Sequence, residues 1–167
     1  MQDKPSTIAE LIATMPQTGQ LQWIGVRPVK REPLQVITEV EAITDRGLQG
    51  DHRMQRKAGG KRQVTLIQSE HLPAIASLSG HAEVLPEWLR RNLVVSGINL
   101  YALRDKRFFI GEVLFEGSGI CAPCSRMEKT LGPGGYNAMR GHGGINAKVI
   151  SGGVIRLGDS VRFAAVD

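Results

Sequence analysis

The second half of the chain contains many short segments rich in β-branched and aromatic residues, separated by turns that contain glycine. Such segments favour β-strands, and glycine and aspartate between them favour tight turns. They lie at residues 108–110, 113–115, 147–150, 154–157 and 160–163. Short strands leave many unpaired edges, which closure into a barrel removes. The pattern therefore predicts a mainly β fold, a closed or nearly closed β-barrel with a few short peripheral helices.

The first half of the chain continues this pattern. Segments 21–26, 34–40, 62–67 and 93–95 are typical of strands. Pro86 is placed to open a short helix over 86–91, and Ser69 to cap another that contains Glu70, His71 and Leu72. We find no internal repeat and no interdomain linker.

The N-terminal segment predicts one helix outside the barrel. Thr7 and Glu10 have the spacing of a capping box, and the apolar residues that follow fall on one helical face before Pro16. We expect this face to pack on the body of the protein or on a second subunit. A chain of 167 residues is long enough for one domain with a real core. We therefore predict a helical extension over 1–20 and a single barrel domain over 21–167.

Positive charge is concentrated in one loop. The chain carries 21 Lys and Arg against 16 Asp and Glu, and segment 53–62 holds five of the cations and no acid. An otherwise neutral protein with one basic loop favours an anionic partner at a single place. The loop has no aromatic residue for base stacking, so we expect a small phosphorylated ligand rather than nucleic acid. A solvated loop without a ligand explains the charge equally well.

Composition and apolar runs exclude several classes of protein. Apolar residues make up 41% and charged residues 22% of the chain, which excludes a disordered tail and a coiled coil. No apolar run approaches the roughly 20 residues that cross a bilayer, and the N-terminus lacks the apolar core of an export signal. We expect a cytoplasmic protein that does not act at a membrane.

Two cysteines, Cys121 and Cys124, form the most informative motif. Their spacing suits a dithiol redox site, half of a zinc site completed by histidines such as His52 or His142, or one reactive thiolate beside Arg126 and Lys129. In the last case Cys121 is a bystander or a resolving partner. Two buried cysteines that act only as small apolar side chains are the structural alternative.

Three further motifs have a functional and a structural interpretation. Asp51 can orient His52 or Arg53, or all three can belong to a surface turn. Arg91-Asn92 stands at a helix-to-strand junction, where an arginine can bind phosphate or pair with an acid. The glycines around His142 can let backbone N–H groups approach an anion, or can form a mobile connection.

Taken in order along the chain, these motifs resemble a MOSC domain, the module named after the C-terminal domain of molybdenum cofactor sulfurase. The resemblance extends from about residue 21 to residue 161, and its strength lies in the order of the pieces. The pieces are Gly50-Asp51-His52, Arg62-Gln63-Val64-Thr65-Leu66, Arg91-Asn92-Leu93, Phe109-Ile110-Gly111, Pro123-Cys124-Ser125-Arg126-Met127 and segment 147–161.

The resemblance implies a β-rich barrel in which Cys124 is exposed in a pocket, as a sulfur carrier or as a ligand to molybdenum. Related proteins, including the mitochondrial amidoxime-reducing component and bacterial proteins that detoxify N-hydroxylated bases, imply reduction of N–O bonds at a molybdenum-pterin centre. Cys124 is then the catalytic residue and metal ligand. The residues expected to bind the cofactor or an anionic substrate are Asp51, His52, Arg53, Arg62, Arg91, Asn92, Arg126 and His142.

Two features of longer relatives differ from this chain. They carry a separate N-terminal β-domain that helps to hold the pterin, whereas only about 20 residues precede the first predicted strand here. Fusions in the family bind pyridoxal phosphate through another domain, so no pyridoxal phosphate is expected in this chain.

We therefore carry three hypotheses from the sequence. The first is a molybdenum-dependent oxidoreductase that acts on N-hydroxylated compounds. The second is a module that holds a persulfide on Cys124 for a partner, and the third is a binding domain without catalysis. N–O reduction takes two electrons and the sequence has no flavin, haem or iron–sulfur motif, so we expect a separate reductase, or a sulfur donor in the second case. The N-terminal helix is a candidate contact for a homo-oligomer.

Overall fold

Eleven strands make up most of the fold. A computed structural model describes Lys4 and residues 6–165. Residues 1–3 and 5 of the predicted extension, and residues 166 and 167 of the predicted barrel domain, lie outside the described residues. The strands are β1 (Thr18–Val26), β2 (Gln35–Ile37), β3 (Glu39–Ile43), β4 (Gly47–Leu48), β5 (Val64–Gln68), β6 (Leu93–Ser96), β7 (Arg107–Ile110), β8 (Val113–Ile120), β9 (Ile145–Ser151), β10 (Gly153–Arg156) and β11 (Ser160–Phe163).

Seven of these strands close into a barrel. Their order is β11-β7-β8-β9-β5-β6-β1, and β1 pairs back onto β11 with Gly19 opposite Val161. The neighbours are antiparallel except β5 and β6, which run parallel. Strand β2 extends the sheet from β1, and β10, β3 and β4 form a separate small sheet. The predicted mainly β barrel is confirmed, while predicted strand 34–40 is two strands, β2 and β3, separated at Thr38.

The interior of the barrel is filled by large apolar side chains that alternate along the strands. Phe108 on β7 and Phe115 on β8 stack with centroids 5.7 Å apart, and both are fully buried. Leu66 on β5 and Leu93 on β6 belong to the same cluster. Because neighbouring side chains on a strand face opposite sides of the sheet, the residues next to Leu66 and Leu93 must bury against something outside the barrel.

Short helices provide that outer cover. They are α1 (Ile8–Ala13), α2 (His71–Ser79), α3 (Pro86–Leu89), α4 (Ser125–Leu131) and α5 (Gly135–Met139), with 3-10 turns at His52–Gln55 and Leu100–Leu103. Ile67 and Val94, from the outer face of β5 and β6, pack with Leu89, Met127 and Met139 in a second apolar cluster. This cluster holds α3 and α4 against one side of the barrel. No helix in the described part of the chain is long and apolar enough to cross a bilayer.

The N-terminal helix forms as predicted, but its apolar face does not pack on the barrel. Glu10 N–H donates to Thr7 Oγ1 over 3.2 Å and Thr7 N–H donates to Glu10 Oε2 over 2.6 Å, which completes the capping box. Ile8 is 71% exposed and Leu11 56% exposed. Of the two predicted alternatives, packing of this face on the body is therefore not found, and packing on a second subunit stays a prediction. Helix α1 stands beside a cleft of 910 Å³, and Met15, beyond its end, packs against the core.

Truncation of one stacked core ring tests the barrel interior. Phe115→Ala is expected to lower the free energy of unfolding by about 3–5 kcal/mol, because it removes a fully buried ring and leaves a cavity. Phe109→Ala is the matched control, since Phe109 is only half-buried and lies under the Arg162 guanidinium at 4.4 Å. Urea unfolding measures both; an equal loss in the two variants would contradict the described core.

Candidate functional site

The two cysteines lie in different surroundings. Strand β8 ends at Ile120, and Cys121 N–H extends its pairing with β9 by donating to Gly144 O over 2.9 Å. Residues 121–124 then run without a turn or bend to Ser125, where α4 begins. Cys121 is 1% exposed, whereas Cys124 is exposed to solvent. The arrangement favours one reactive sulfur, that of Cys124, over a dithiol in which both sulfurs face each other.

Cys121 is enclosed by arginines. Arg62 Nη2 lies 3.6 Å from its Sγ, and Arg91 Nη2 donates to its carbonyl oxygen over 3.3 Å. Among the described residues, no three His, Cys, Asp or Glu side chains are grouped so that they could hold a metal ion. The zinc interpretation of the cysteine motif therefore gains no support from this part of the chain.

Arg91 joins residues 121–124, which we call the cysteine loop, to α3 and to the glycines of segment 141–144. The residue is 3% exposed, and its guanidinium donates three hydrogen bonds to backbone carbonyls, from Nε to Gly143 over 2.9 Å, from Nη1 to Leu89 over 2.7 Å and from Nη2 to Cys121. Burial lowers the pKa of Arg91, and the nearby cysteines partly offset this effect. These contacts use three of the five N–H donors, and through them Arg91 holds α3, the cysteine loop and the glycine loop (residues 141–144) together.

The glycines of segment 141–144 allow close backbone packing. A Cβ on Gly143 would lie 2.4 Å from Cys121 O, and one on Gly144 would lie 1.8 Å from Leu66 O. Gly144 also has a φ of +87°, which a side chain disfavours. These two glycines are needed where the loop crosses β5 and the cysteine loop, so their approach is to the protein's own backbone.

A buried polar network centred on Asn92 contacts Arg27 and Arg53. Asn92 is 1% exposed, and its Nδ2 donates to Gly25 O and to Asp51 Oδ2, each over 3.0 Å. Its Oδ1 accepts from Thr65 N over 3.1 Å and from Arg53 Nη1 over 3.4 Å. Asp51 and Arg53, both predicted site residues, are thereby held at the ends of β1, β5 and β6. Asp51 also accepts from Arg27 N over 3.1 Å.

His52 completes this network from the loop side. Its backbone N–H donates to Arg27 O over 2.8 Å, and its Nδ1 lies 3.0 Å from the same oxygen, so Nδ1 carries the proton. Burial lowers the pKa of His52, although the Arg27 carbonyl and Asp51 act in the opposite direction. His52 thus fixes the backbone of Arg27.

Four arginines line a cavity at the place where α3 ends and α4 begins. The space of about 540 Å³ is lined by Arg27, Arg31, Arg90, Arg126 and Lys129, by Trp88, and by the acids Glu32 and Glu87. Cys124, the N-cap of α4, stands two residues before Arg126 and is not part of this lining. Arg27 is 5% exposed, and the buried Nε atoms of Arg27 and Arg90 have no hydrogen-bond partner within the described residues. Burial, together with Arg27 and Arg126, lowers the pKa of Arg90 to about 10, and Cys124 opposes this shift. The cations of this lining outnumber its two acids, and unpaired arginine donors suit an anionic ligand.

Arg90 is held in a costly backbone conformation. It caps α3 with φ +62° and ψ +29°, a left-handed region that non-glycine residues seldom adopt. Such residues cost of order 1–3 kcal/mol and are concentrated at functional sites. The conformation lets Arg90 face the cavity while the adjacent Arg91 turns into the protein.

The structure thus divides the predicted cofactor-binding residues. It brings Arg126 to the cavity and Arg62 to the buried sulfur, and it places the polar atoms of Asp51, Arg91 and Asn92 in internal hydrogen bonds. Sequence reasoning missed Arg27 and Arg90. Arg27 has no motif around it, and the Arg90-Arg91 pair gives no signal of which side chain turns inward.

His142 faces a second histidine instead of the arginines. Its ring meets that of His71 edge-on with centroids 5.2 Å apart, and the buried Nδ1 of each has no partner in the described structure. Burial and the neighbouring His142 lower the pKa of His71. His71 also borders the large cleft beside α1, which contains neither cysteine.

The pKa of His52 predicts a loss of stability in mild acid. The folded protein favours the neutral ring, whereas the unfolded chain takes up a proton near the usual pKa of 6.5. The free energy of unfolding should therefore fall as the pH drops from about 7.5 to about 5.5, and His52→Gln should reduce that fall. Urea unfolding at both pH values is the measurement. A stability that rises toward pH 5.5 would contradict the assignment.

Comparison with known proteins gives one family. Residues 53–162 match the model of the MOSC domain. The YuaD protein from Bacillus subtilis has a similar fold, with a TM-score of 0.78 and 19% identity over 92% of this chain and 100% of that chain. YiiM from Escherichia coli has a TM-score of 0.67 and 19% identity over 89% of this chain and 71% of its own.

A third structure, YiiM from Geobacillus stearothermophilus, has a TM-score of 0.67 and 18% identity over 87% of this chain and 75% of that chain. No curated protein matches the sequence. These likenesses establish a shared fold, and the family model spans most of the barrel, the arginines from Arg53 onward and the cysteine loop. The chain belongs to the MOSC domain family, whose members are linked to the molybdenum cofactor.

Proposed function

We propose that this protein is a molybdenum-dependent oxidoreductase that reduces N-hydroxylated compounds, with Cys124 as the ligand to a molybdenum-pterin cofactor. One observation carries the proposal. An exposed cysteine stands two residues before Arg126, which lines a cavity with three further arginines, and the buried Nε atoms of two of these four arginines have no partner among the described residues.

The residues present fit such a cofactor. A thiolate is a soft ligand that suits molybdenum, and Cys124 is open to solvent. The cofactor's phosphate is an anion that arginine forks bind in a bidentate manner, and Arg27, Arg90 and Arg126 offer free donors. The volume of about 540 Å³ lies within the range of small-molecule sites, about 300–1,000 Å³. Trp88 adds an aromatic wall for a planar ring.

Four of the other predicted residues, Asp51, His52, Arg91 and Asn92, position these groups. Asp51 and His52 hold the backbone of Arg27, and Asn92 holds Asp51 and Arg53. Arg91 fixes the loop that presents Cys124. A site assembled by buried hydrogen bonds keeps its cations in place before the ligand arrives, which lowers the cost of binding.

The chemistry requires electrons from outside the chain. The bound cofactor supplies oxygen-atom transfer, and reduction of an N-hydroxylated amine consumes two electrons and two protons and yields the amine and one water molecule. The chain has two cysteines, fewer than the four that an iron–sulfur cluster takes. A separate electron donor is therefore part of the proposal.

Exposure of Cys124 also favours a second candidate, a sulfur carrier. In that reaction a donor persulfide passes its terminal sulfur to Cys124 and is released as a thiol, leaving a persulfide on Cys124. Incubation with a sulfur donor followed by intact-mass measurement tests this candidate. A reducible gain of one sulfur that Cys124→Ala abolishes supports carriage, whereas an unchanged mass contradicts it.

Molybdenum content tests the role of Cys124 directly. Protein purified from a host that makes the cofactor is expected to contain molybdenum and to reduce N-hydroxylated bases when given a chemical reductant. Cys124→Ser should lose both properties, because the exposed sulfur is removed. Cys121→Ser is the matched control and should keep bound metal, because Cys121 is buried. Equal molybdenum in wild type and Cys124→Ser would reject the proposal.

Removal of one cavity arginine tests the anion site independently of activity. Phosphate is expected to raise the melting temperature of the cofactor-free protein, since binding to the folded state stabilises it. Arg90→Gln should weaken phosphate binding about 10- to 100-fold, the equivalent of one charged hydrogen-bonded contact of about 1.5–3 kcal/mol. Arg140→Gln, an exposed arginine outside the cavity, is the control. An equal phosphate response in Arg90→Gln and wild type would place the anion elsewhere.

A further inference from the structure

Exposed cations surround the site on the outside of the protein. We call them the basic rim, and none of them takes part in the ion pairs found among the described residues. The basic rim consists of Lys30, Arg31, Arg56, Lys57, Lys61 and Arg62. Segment 53–62, which supplies four of the six, contains no acid.

The basic rim is continuous with the candidate site. Arg31 lines the same cavity as Arg90 and Arg126. Lys30 and Arg56 line an adjoining cavity of 360 Å³. Arg62, at the other end of the basic loop, has its Nη2 3.6 Å from the sulfur of the buried Cys121. The cavity lining also contains Glu32 and Glu87, but cations outnumber acids there, so the basic rim extends the positive charge of the cavity outward.

A small ligand in the cavity cannot neutralise the outer part of the basic rim. Lys57 and Lys61 are exposed and line none of the cavities described. Charges that extend beyond a pocket match an extended anionic surface, and complementary charge of this kind accelerates association 10- to about 1,000-fold at low salt. The outer cations thus indicate a macromolecular partner.

Nucleic acid matches the basic rim less well than an acidic protein does. Segment 52–62 is a 3-10 turn followed by a loop that contains Gly59 and Gly60. It has no aromatic side chain for stacking and no α-helix to enter a groove. A protein that delivers electrons, in contrast, has to dock beside the exposed Cys124. Electron-transfer complexes are small and transient, below about 1,200 Å² of buried surface, and rely on charge complementarity.

We propose that the basic rim is the docking surface of an acidic electron-transfer protein, which gives up the two electrons consumed in N–O reduction. This inference rests on the proposed function. The partner presents carboxylates to Lys57 and Lys61, and its redox group faces the cavity beside Cys124.

Binding to a purified acidic flavodoxin tests the docking surface without any turnover. The cofactor-free full chain is titrated into labelled flavodoxin, and fluorescence anisotropy gives Kd at ionic strengths of about 0.01 M and about 0.15 M, where charges act over about 30 Å and about 8 Å. Wild type should bind at low ionic strength and at least about tenfold more weakly at the higher one. Lys57→Glu/Lys61→Glu should weaken binding at least about tenfold.

The control variant carries the same change of charge elsewhere. Lys106 and Arg162 lie at β7 and on β11, which in the strand order are across the barrel from β5, where the basic loop ends. Lys106→Glu/Arg162→Glu should leave Kd within about twofold of wild type, and Lys57→Arg/Lys61→Arg should retain binding. Absence of flavodoxin binding at low ionic strength, or equal weakening by both Glu pairs, overturns the proposal.

Two further readouts separate the alternatives. If short single-stranded DNA binds wild type more tightly than flavodoxin does, and Lys57→Glu/Lys61→Glu abolishes it, the basic rim is a nucleic-acid surface and the proposal is wrong. Molybdenum content of Lys57→Glu/Lys61→Glu should equal that of wild type, since neither residue lines the cavity. Failure of docking with molybdenum retained would thus leave the proposed function standing.

Discussion

The hydrogen bonds of one buried amide hold the site together. Asn92 sits where β6 begins, and its side chain connects the carbonyl of Gly25 on β1, the backbone of Thr65 on β5 and the carboxylate of Asp51. Three strands of the barrel and the loop after β4 meet at this side chain. Because a buried polar group left without a partner costs about 1–3 kcal/mol, the network tolerates few replacements. The network also contacts the backbone of Arg27 through Asp51 and the guanidinium of Arg53 through Asn92 itself.

The burial of β5 on both of its faces explains how a cavity forms at the edge of the barrel. All five residues of β5 are buried, since Leu66 faces the interior and Ile67 faces the outer helices. The outer cluster brings α3 and α4 side by side, and each helix contributes one arginine at its end, Arg90 and Arg126. The apolar contacts therefore hold Arg90 and Arg126 near each other against the repulsion between their charges.

The strands and their closure into a barrel could be predicted, whereas their order in the sheet and the identity of the free arginines could not. Alternation and glycine turns are local signals, so the barrel and the capping box of α1 follow from neighbouring residues. Whether Arg90 or Arg91 turns outward depends on a left-handed φ and on three distant carbonyls, which no local pattern records. Likewise, the exposed face of α1 has the same amphipathic spacing as a helix packed on its own domain.

The backbone conformation of Arg90 lowers the stability of the fold, while its side chain contributes to the candidate anion site. A left-handed backbone suits glycine far better than arginine, so the chain would gain robustness by giving up this side chain, and with it part of the anion site. Burial, and after it the neighbouring Arg27 and Arg126, lower the pKa of Arg90 to about 10, because a charged guanidinium is unfavourable in these surroundings. A bound anion would compensate that charge, and the loaded molecule should outlast the empty one under heat or proteolysis.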